Sequence, residues 1–162
     1  MKRFTKVQFK RRMSRKTDYE ARRDLLSGEI ERLVVRKSNR YIITQIVSSK
    51  NGQDVVLSTT TSKELSKYGF PETYSMKNLA AAYLTGFLAA SKAKKDVKKV
   101  VLDIGMLKST KGNRLYATLL GAVDGGLEIP HSKDIVPSME EIKSKTKADI
   151  VKVSSKIKES FK

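Results

Sequence analysis

Residue types that commonly carry catalysis are sparse in this chain of 162 residues. It has no cysteine, which excludes thiolate chemistry, disulfides and zinc bound through sulfur. His131 is the only histidine, and a lone loop histidine after Pro130 suits a surface hydrogen bond or a phosphate contact as well as catalysis. The segment Gly105–Gly112 does not match the G-x-x-x-x-G-K-[ST] phosphate loop, and no G-x-G-x-x-G occurs. The sequence therefore predicts a non-enzymatic chain with no catalytic residues, metal, cofactor or small-molecule substrate.

Basic residues, by contrast, are abundant. The chain has 34 Lys and Arg against 17 Asp and Glu, a formal charge of +17 and a pI near 10.1. Residues 1–24 contain ten basic and three acidic residues, so +7 lies there and +10 in the rest of the chain. Charge spread over an arm and a body favours nucleic acid over an acidic protein partner. A basic face that serves only solubility and binding to an anionic membrane are the weaker alternatives.

Three basic clusters combine charge with groups suited to RNA. The arm, residues 1–16, has eight Lys or Arg, no acid and no apolar period, which predicts no regular structure before an anion binds. The hairpin cluster, residues 36–41 (RKSNRY), offers guanidinium forks, an amide and an aromatic ring. The loop cluster, residues 108–114 (KSTKGNR), ends where a helix begins, and helix N-termini attract phosphate. An ordinary polar turn and a solvated loop with a helix cap remain the alternatives for the last two clusters.

Short β patterns occupy the region that follows the arm. Thr17–Ser27 predicts a short helix, with Thr17 as its N-cap and Gly28 as its stop. Leu33–Arg36, Tyr41–Val47 and Asp54–Thr61 then predict three antiparallel strands. The last two strands are joined by the turn Lys50-Asn51-Gly52, since Asn-Gly is a strong hairpin signal.

Two longer helices and a fourth strand follow these strands. Ser75 predicts the N-cap of a helix to about Lys95, with a single Gly86 that allows close approach to a sheet. The buried stripe of this helix is predicted to be Leu79, Ala82, Tyr83, Gly86, Phe87 and Ala90. Lys99–Ile104 predicts a strand parallel to an earlier one, and Arg114–Val123 predicts a second helix.

The region after Pro137 has helical patterns of its own. Ser138 has the spacing of a capping box. Ile150, Val153, Ile157 and Phe161 recur at helical intervals and predict a face that docks on the body or on a neighbour.

The order β-β-β-α-β-α predicts an α/β fold, a mixed β-sheet packed by helices, with an extended basic N-terminal arm and a C-terminal tail. The predicted divisions are residues 1–28 (basic arm and short helix), 29–130 (globular mixed α/β domain) and 131–162 (tail with short helices). The N-terminus lacks an apolar run, and Leu79–Ala90 is too short to span a bilayer, so neither a signal peptide nor a membrane partner is expected.

The same order resembles ribonuclease-H-like folds, which raises a metal-dependent nuclease as a hypothesis. Cleavage by two metal ions needs several carboxylates that converge on the ions. The predicted first strand and first long helix contain none, and only Asp103 stands in a plausible position. One carboxylate cannot hold two ions, so the topology is expected without its active site.

Four stretches closely resemble one family: RKTDYEARRDLLSG (15–28), RLVVRKSNRYIITQIV (32–47), NLAAAYLTGFLA (78–89) and LDIG…TKGNRLYATLLGAVDGGLEIPHS (102–132). The family is large-subunit ribosomal protein eighteen, in its archaeal branch, and the resemblance covers most of residues 3–137. It implies a cytoplasmic structural protein of the large ribosomal subunit that binds 5S rRNA. It further implies attachment of 5S rRNA to 23S rRNA in the central protuberance, beside ribosomal protein five and other large-subunit proteins. A non-ribosomal RNA-binding protein or RNA chaperone is the alternative.

Two positions depart from the family pattern. Arg15 stands where a Gly usually precedes the Lys-Thr-Asp-Tyr element, and Glu31 replaces the usual Pro before the first strand. The turn at Arg15 is therefore expected to differ.

The resemblance and the basic clusters together predict a set of RNA-contacting residues that are basic, hydroxyl, amide or aromatic. In the arm and the helix after it they are Arg3, Lys6, Lys10, Arg11, Arg12, Arg15, Lys16, Thr17, Tyr19, Arg22 and Arg23. In the hairpin and loop clusters they are Arg36, Lys37, Asn39, Arg40, Tyr41, Lys108, Thr110, Lys111 and Arg114.

Overall fold

The structure is a computed structural model, and it describes residues 7–50, 52–93, 97–144 and 149–161. Its strands are β1 (Glu31–Lys37), β2 (Ile42–Lys50), β3 (Gln53–Thr61) and β4 (Val100–Asp103). They form one sheet in the order β3-β2-β1-β4, in which β4 is parallel to β1 and the other neighbours are antiparallel. The predicted mixed α/β fold is confirmed.

Helices precede, cover and follow this sheet. They are α1 (Lys10–Met13), α2 (Tyr19–Ser27), a 3-10 helix (Ser62–Tyr68), α3 (Leu79–Ala93), α4 (Arg114–Asp124), α5 (Met139–Ser144) and α6 (Ile150–Ser160). The short helix α1 corrects the prediction that the arm has no regular structure. None of the helices in the described ranges combines the length and the hydropathy that a bilayer span needs.

Alternation along the strands sets which face of the sheet is buried. Leu33 and Val35 of β1 are fully buried, and Ile42 and Ile46 of β2 are buried on the same face, against α3. The turn between β2 and β3 contains Gly52, whose φ of +78° lies in the left-handed region that glycine adopts at low cost. Its predicted partner Asn51 lies outside the described residues.

Two helices begin later than predicted, because a neighbouring side chain forms the cap. Asp18, not Thr17, caps α2: its carboxylate accepts the backbone N–H groups of Glu20 and Ala21 at 3.0 and 3.3 Å. Asn78, not Ser75, stands before α3, and its side-chain oxygen accepts the Ala81 N–H at 2.7 Å. Ser75 instead starts a preceding turn, in which its carbonyl accepts the Asn78 N–H at 3.1 Å.

Helix α3 is buried nearly all round, not along one stripe. The predicted stripe is buried, but so are the residues between its members, including Leu84, Thr85 and Leu88. Gly86 does not face a sheet as expected: a Cβ there would lie 1.9 Å from the Thr118 carbonyl oxygen of α4. Helix α3 therefore lies between the sheet and α4, in the centre of the core.

The C-terminal helices pack on the same core. Ile150, Val153 and Ile157 of α6 are buried in the cluster that includes α3, as the apolar spacing predicted. Phe161, predicted to continue that face, is 38% exposed because α6 ends at Ser160. Lys158 of α6 lies with its Nζ 5.4 Å from the centre of the Phe87 ring, a cation–π contact with α3.

Truncation of Phe87 tests this core. Phe87 is 2% exposed, so we expect Phe87→Ala to lower the free energy of unfolding by about 3–5 kcal/mol, through lost burial and a cavity. Urea unfolding followed by circular dichroism measures the effect, with Phe161→Ala as the matched control at an exposed position. A loss below about 0.5 kcal/mol for Phe87→Ala would show that this side chain lies outside the core.

Candidate nucleic-acid interface

The described part of the arm folds back onto the start of α2. The Lys16 N–H donates to the Arg11 carbonyl at 2.9 Å, and the Arg11 Nε donates to the Thr17 hydroxyl at 2.8 Å. The rings of Phe9 and Tyr19 lie 5.1 Å apart, centre to centre. The described cations of the arm are therefore held beside those of α2. The predicted contacts Arg3 and Lys6 lie outside the described residues.

Arg15 makes this reversal in an unfavourable backbone conformation. Its φ is +50°, in the left-handed region where a side chain costs about 1 kcal/mol relative to glycine. A glycine would adopt this φ at little cost, so arginine holds the turn only with backbone strain.

We therefore expect Arg15→Gly to stabilise the turn and Arg15→Ala to leave the strain in place. Amide exchange of the Lys16 N–H should be slower in Arg15→Gly than in Arg15→Ala by about fivefold, the equivalent of about 1 kcal/mol. The two variants lose the same charge, so a difference in exchange reports the backbone alone. Equal exchange rates would contradict the assignment of strain to Arg15.

A buried ionic network fixes the sheet beneath the arm. Arg32 is 1% exposed, and its guanidinium donates to Asp103 at 2.9 Å, to Asp54 at 2.7 Å and to Ser49 at 3.0 Å. Arg36 also donates to the Asp103 carboxylate, at 3.0 Å. This network connects all four strands, because Arg32 belongs to β1, Ser49 to β2, Asp54 to β3 and Asp103 to β4. Ser49 and Asp54 also contact each other.

Helix α2 is connected to the same network. Arg22 donates to Asp54 at 2.8 Å. Burial alone would raise the pKa of Asp54, but hydrogen bonds from Ser49, Arg22 and Arg32 lower it below its ordinary value. The carboxylate therefore stays ionised, and its contribution to stability is lost only as the pH falls through that lowered pKa.

Internal pairing divides the predicted contact residues into two groups. Arg12, Arg22, Arg23 and Arg36 each lie within 4.0 Å of an acidic side chain, at 3.6, 2.8, 3.4 and 3.0 Å. Among the predicted contacts that the structure describes, the exposed cations without such a partner are Lys10, Arg11, Arg15, Lys16, Lys37, Arg40, Lys108, Lys111 and Arg114. The second group carries charge that only solvent or an external anion can neutralise.

One cavity brings together predicted residues from the arm, α2 and β1. It has a volume of about 350 Å³ and lies beside the end of β4. Five of the predicted contacts line it: Arg11, Lys16, Thr17, Arg22 and Arg36. Residues far apart in sequence thus form a single concave cationic surface.

The hairpin cluster presents its tip to solvent. The Ser38 N–H donates to the Tyr41 carbonyl at 2.8 Å, and the Tyr41 N–H donates to the Ser38 hydroxyl at 2.9 Å. These bonds close the turn from inside, which leaves Asn39 and Arg40 exposed. The turn is well ordered by its own chain and still offers an amide and a guanidinium outward.

The loop cluster borders a different cavity, of about 360 Å³, at the start of α3 and α4. Asn113 caps α4 by accepting the Arg114 N–H at 2.7 Å, and the Gly112 N–H donates to the Ile135 carbonyl at 3.0 Å. The sequence had left a helix cap and a phosphate site open as alternatives. The cap is present, and Lys108, Thr110, Lys111 and Arg114 are exposed around it.

Carboxylates in the sheet are placed for ion pairing with arginine. β1 begins at Glu31, two residues before the predicted start at Leu33, so the prediction that the first strand holds no carboxylate is wrong. Asp103 is engaged by Arg32 and Arg36. No group of three or more His, Asp or Glu side chains arranged to hold a metal occurs in the ranges described. His131 contacts the Ile129 carbonyl through Nδ1, at 2.7 Å.

The pairing of Arg32 with its acids was missed by the sequence reasoning, which considered Asp103 only as a possible metal ligand. The position of Arg32 directly before the apolar run Leu33-Val34-Val35 was an available signal. Because side chains alternate along a strand, Arg32 lies on the face of the sheet opposite Leu33 and Val35. Its partners Asp54 and Asp103 lie 22 and 71 residues away, so no local pattern identifies them.

Comparison with known proteins gives consistent matches over this surface. A profile of the family described as ribosomal large subunit proteins 60S L5 and 50S L18 matches residues 2–99 and 92–132, which include all three clusters except Met1. The chain is 52% identical over 139 residues to the large ribosomal subunit protein uL18 of Korarchaeum cryptofilum, covering 85% of this chain and 70% of that protein. Proteins of the same name from Methanoregula boonei and Methanococcoides burtonii are 46% and 43% identical, over 85% and 93% of this chain and 78% and 86% of those proteins.

Proposed function

The chain belongs to the family of ribosomal large subunit proteins 60S L5 and 50S L18, and from that membership we propose that it binds 5S rRNA and helps to attach it to 23S rRNA in the central protuberance. The family's role is structural and ribosomal, so the predictions of a large-subunit protein of archaeal type and of a non-enzymatic chain are confirmed. The particular RNA and its protein neighbours, ribosomal protein five among them, belong to the proposal.

The observation that carries the proposal is the set of exposed cations without an acidic partner. Lys10, Arg11 and Lys16 of the arm and Arg40 of the hairpin are exposed and have no ion-pair partner among the described residues, so RNA phosphates can serve as their partners. Few aromatic rings are present, so phosphate contacts and RNA shape supply most of the affinity.

The predicted contact residues keep distinct roles within this proposal. Unpaired cations bind phosphates in a salt-dependent way, whereas Arg22 and Arg36, which are held by Asp54 and Asp103, position the surface and contribute their remaining donors. Arg12 and Arg23 form only exposed ion pairs and stay available to phosphate. Residues 29–130 serve as the body that presents the arm and short helix (1–28), and residues 131–162 dock on that body through Ile150, Val153 and Ile157.

Competition binding tests the choice of RNA. The full chain should bind purified 5S rRNA at least about tenfold more tightly than a folded RNA of equal length, at physiological salt. Equal affinity for both RNAs would reduce the interaction to a general attraction for polyanions and would overturn the proposed assignment to 5S rRNA.

Sedimentation separates a ribosomal constituent from an RNA chaperone with the same cations. The chain should stay with large subunits through a moderate-salt wash, because many phosphate contacts are made at once in the assembled particle. Release of most of the chain in that wash would favour the chaperone.

A further inference from the structure

We propose that the cavity between the arm, α2 and the end of β4 holds one unstacked nucleotide of the bound RNA. This inference rests on the proposed function, because the nucleotide belongs to an RNA that the cationic surface has already engaged. The volume of about 350 Å³ is at the small end of the range for ligand sites, and it cannot admit a duplex. One nucleotide, displaced from its stack, matches that size.

The charge of the cavity suits a phosphate. Four cations line it, Arg11, Lys16, Arg22 and Arg36, against the two acids Asp18 and Asp103. Both acids are engaged within the chain: Asp18 caps α2, and Asp103 accepts from Arg32, Arg36 and the Gly105 N–H. The surplus charge is supplied by Arg11 and Lys16, which have no acidic partner among the described residues.

The remaining lining suits the face of a base. Leu25, Leu102, Ile104 and Met106 border the same cavity, and all four are partly or fully exposed. Met106 is 55% exposed, and its polarisable thioether can pack against an aromatic ring such as a base. A bare phosphate would leave these side chains in water, whereas a nucleotide would cover them.

Arg36 supplies a planar group held in place at this cavity. Its guanidinium donates to the Val35 carbonyl at 2.9 Å and to the Asp103 carbonyl at 2.8 Å, in addition to the Asp103 carboxylate. Gly105, with φ +59°, leaves room for it, since a Cβ there would lie 3.0 Å from the Arg36 Cζ. Proteins that read unpaired RNA stack bases on such guanidinium planes.

A substitution that fills the cavity without changing its charge tests the proposal. Ala21 lines the cavity and is exposed on α2, so Ala21→Leu adds bulk there and leaves the backbone cap intact. Ser155→Leu adds similar bulk at an exposed position of α6, away from this cavity and from the predicted RNA contacts. Affinity for 5S rRNA and its dependence on salt are measured for the full chain and both variants.

Ala21→Leu should weaken binding of 5S rRNA about tenfold with an unchanged slope of log affinity against log salt, because a base contact is lost and phosphate contacts remain. Ser155→Leu should bind like the unmodified chain. Chemical probing of the bases should show one nucleotide whose reactivity changes with the unmodified chain and does not change with Ala21→Leu. Unaltered affinity and an unaltered reactivity pattern in Ala21→Leu would overturn the proposal.

Two further measurements keep the result unambiguous. Met106→Ala removes an exposed side chain from the cavity, and it should lower affinity in the same slope-preserving way if Ala21→Leu fails to fold. Adenosine 5′-monophosphate, titrated against the RNA-free chain, should bind no more tightly than about 1 mM, because it lacks the flanking phosphates. Micromolar binding of adenosine 5′-monophosphate, together with unchanged RNA affinity in Ala21→Leu and Met106→Ala, would assign the cavity to free nucleotides. That result would overturn the proposal that the cavity holds a nucleotide of the RNA. Absence of any 5S rRNA binding by the unmodified chain would instead remove the proposed function.

Discussion

Deletion of residues 1–16 will lower the affinity for 5S rRNA by at least about 100-fold at physiological salt and will flatten its salt dependence. The deleted segment contains eight Lys or Arg and no acid. Each phosphate contact that is lost should reduce the slope of log affinity against log salt by somewhat under one unit, since each contact releases condensed counterions. Filter binding across a range of salt concentrations measures both quantities.

A full-length variant with those eight residues changed to Gln separates charge from chain length. It should reproduce the flattened slope of the deletion, because the counterion effect depends on cations and not on the presence of backbone. An unchanged slope in the deletion variant would mean that the arm makes no phosphate contacts in the complex.

Gly121→Ala will lower the free energy of unfolding by about 3 kcal/mol or more. A Cβ at Gly121 would lie 1.9 Å from the Tyr83 carbonyl oxygen, and one at Gly86 would lie 1.9 Å from the Thr118 carbonyl oxygen. The two glycines thus let α3 and α4 approach with backbone against backbone, and no rotamer change can relieve the overlap. The helices would have to separate through the centre of the core.

Gly28→Ala is the matched control for this prediction. Gly28 has φ −82°, and an added Cβ would meet only Ile30 side-chain atoms, at 3.8 Å or more. Alanine should therefore be tolerated or stabilising by about 0.4–1 kcal/mol, through the unfolded chain. Urea unfolding of both variants decides the matter, and a loss below about 1 kcal/mol for Gly121→Ala would contradict the close packing of α3 on α4.

Other contacts across α3 and α4 would be disturbed in the same variant. The Tyr83 hydroxyl donates to the Asp124 carboxylate at 2.8 Å. Burial, together with that hydrogen bond and the negative charge, raises the pKa of Tyr83 well above its ordinary value. Titration of this tyrosine at a lower pH in Gly121→Ala would report the separation of the two helices directly.

The sequence predicted the elements whose signals are local. Alternating apolar residues and the Asn51-Gly52 pair predicted β2 and β3 to within a few residues, because strand faces and hairpin turns depend on near neighbours. The parallel placement of β4 also followed, since a long helix separates it from the first three strands.

Features that depend on distant partners were not predictable in this way. Gly86 and Gly121 lie on separate helices, so the local sequence identifies each only as a small residue. The close approach of the two helices at these glycines depends on tertiary packing. The same holds for Arg32 with Asp103, which pair across 71 positions. The caps of α2 and α3 were misplaced because each helix start offers two cap residues: Thr17 and Asp18 are adjacent, and Ser75 and Asn78 are three positions apart.

The candidate site divides along the same line. Charge and composition identified the cations of the arm, the hairpin cluster and the loop cluster. Arg11, Lys16 and Arg36 come together around one cavity because of the turn at Arg15 and the position of the end of β4. No local sequence pattern indicates that these segments meet.

Hydroxyl-radical footprinting of 5S and 23S rRNA, with the full chain at physiological salt, detects the contacts of the exposed cations with the RNA backbone. We expect protected riboses on 5S rRNA that lose protection when the eight basic residues of the arm are changed to Gln. Absence of protection on either RNA would contradict the claim that these exposed cations bind ribosomal RNA.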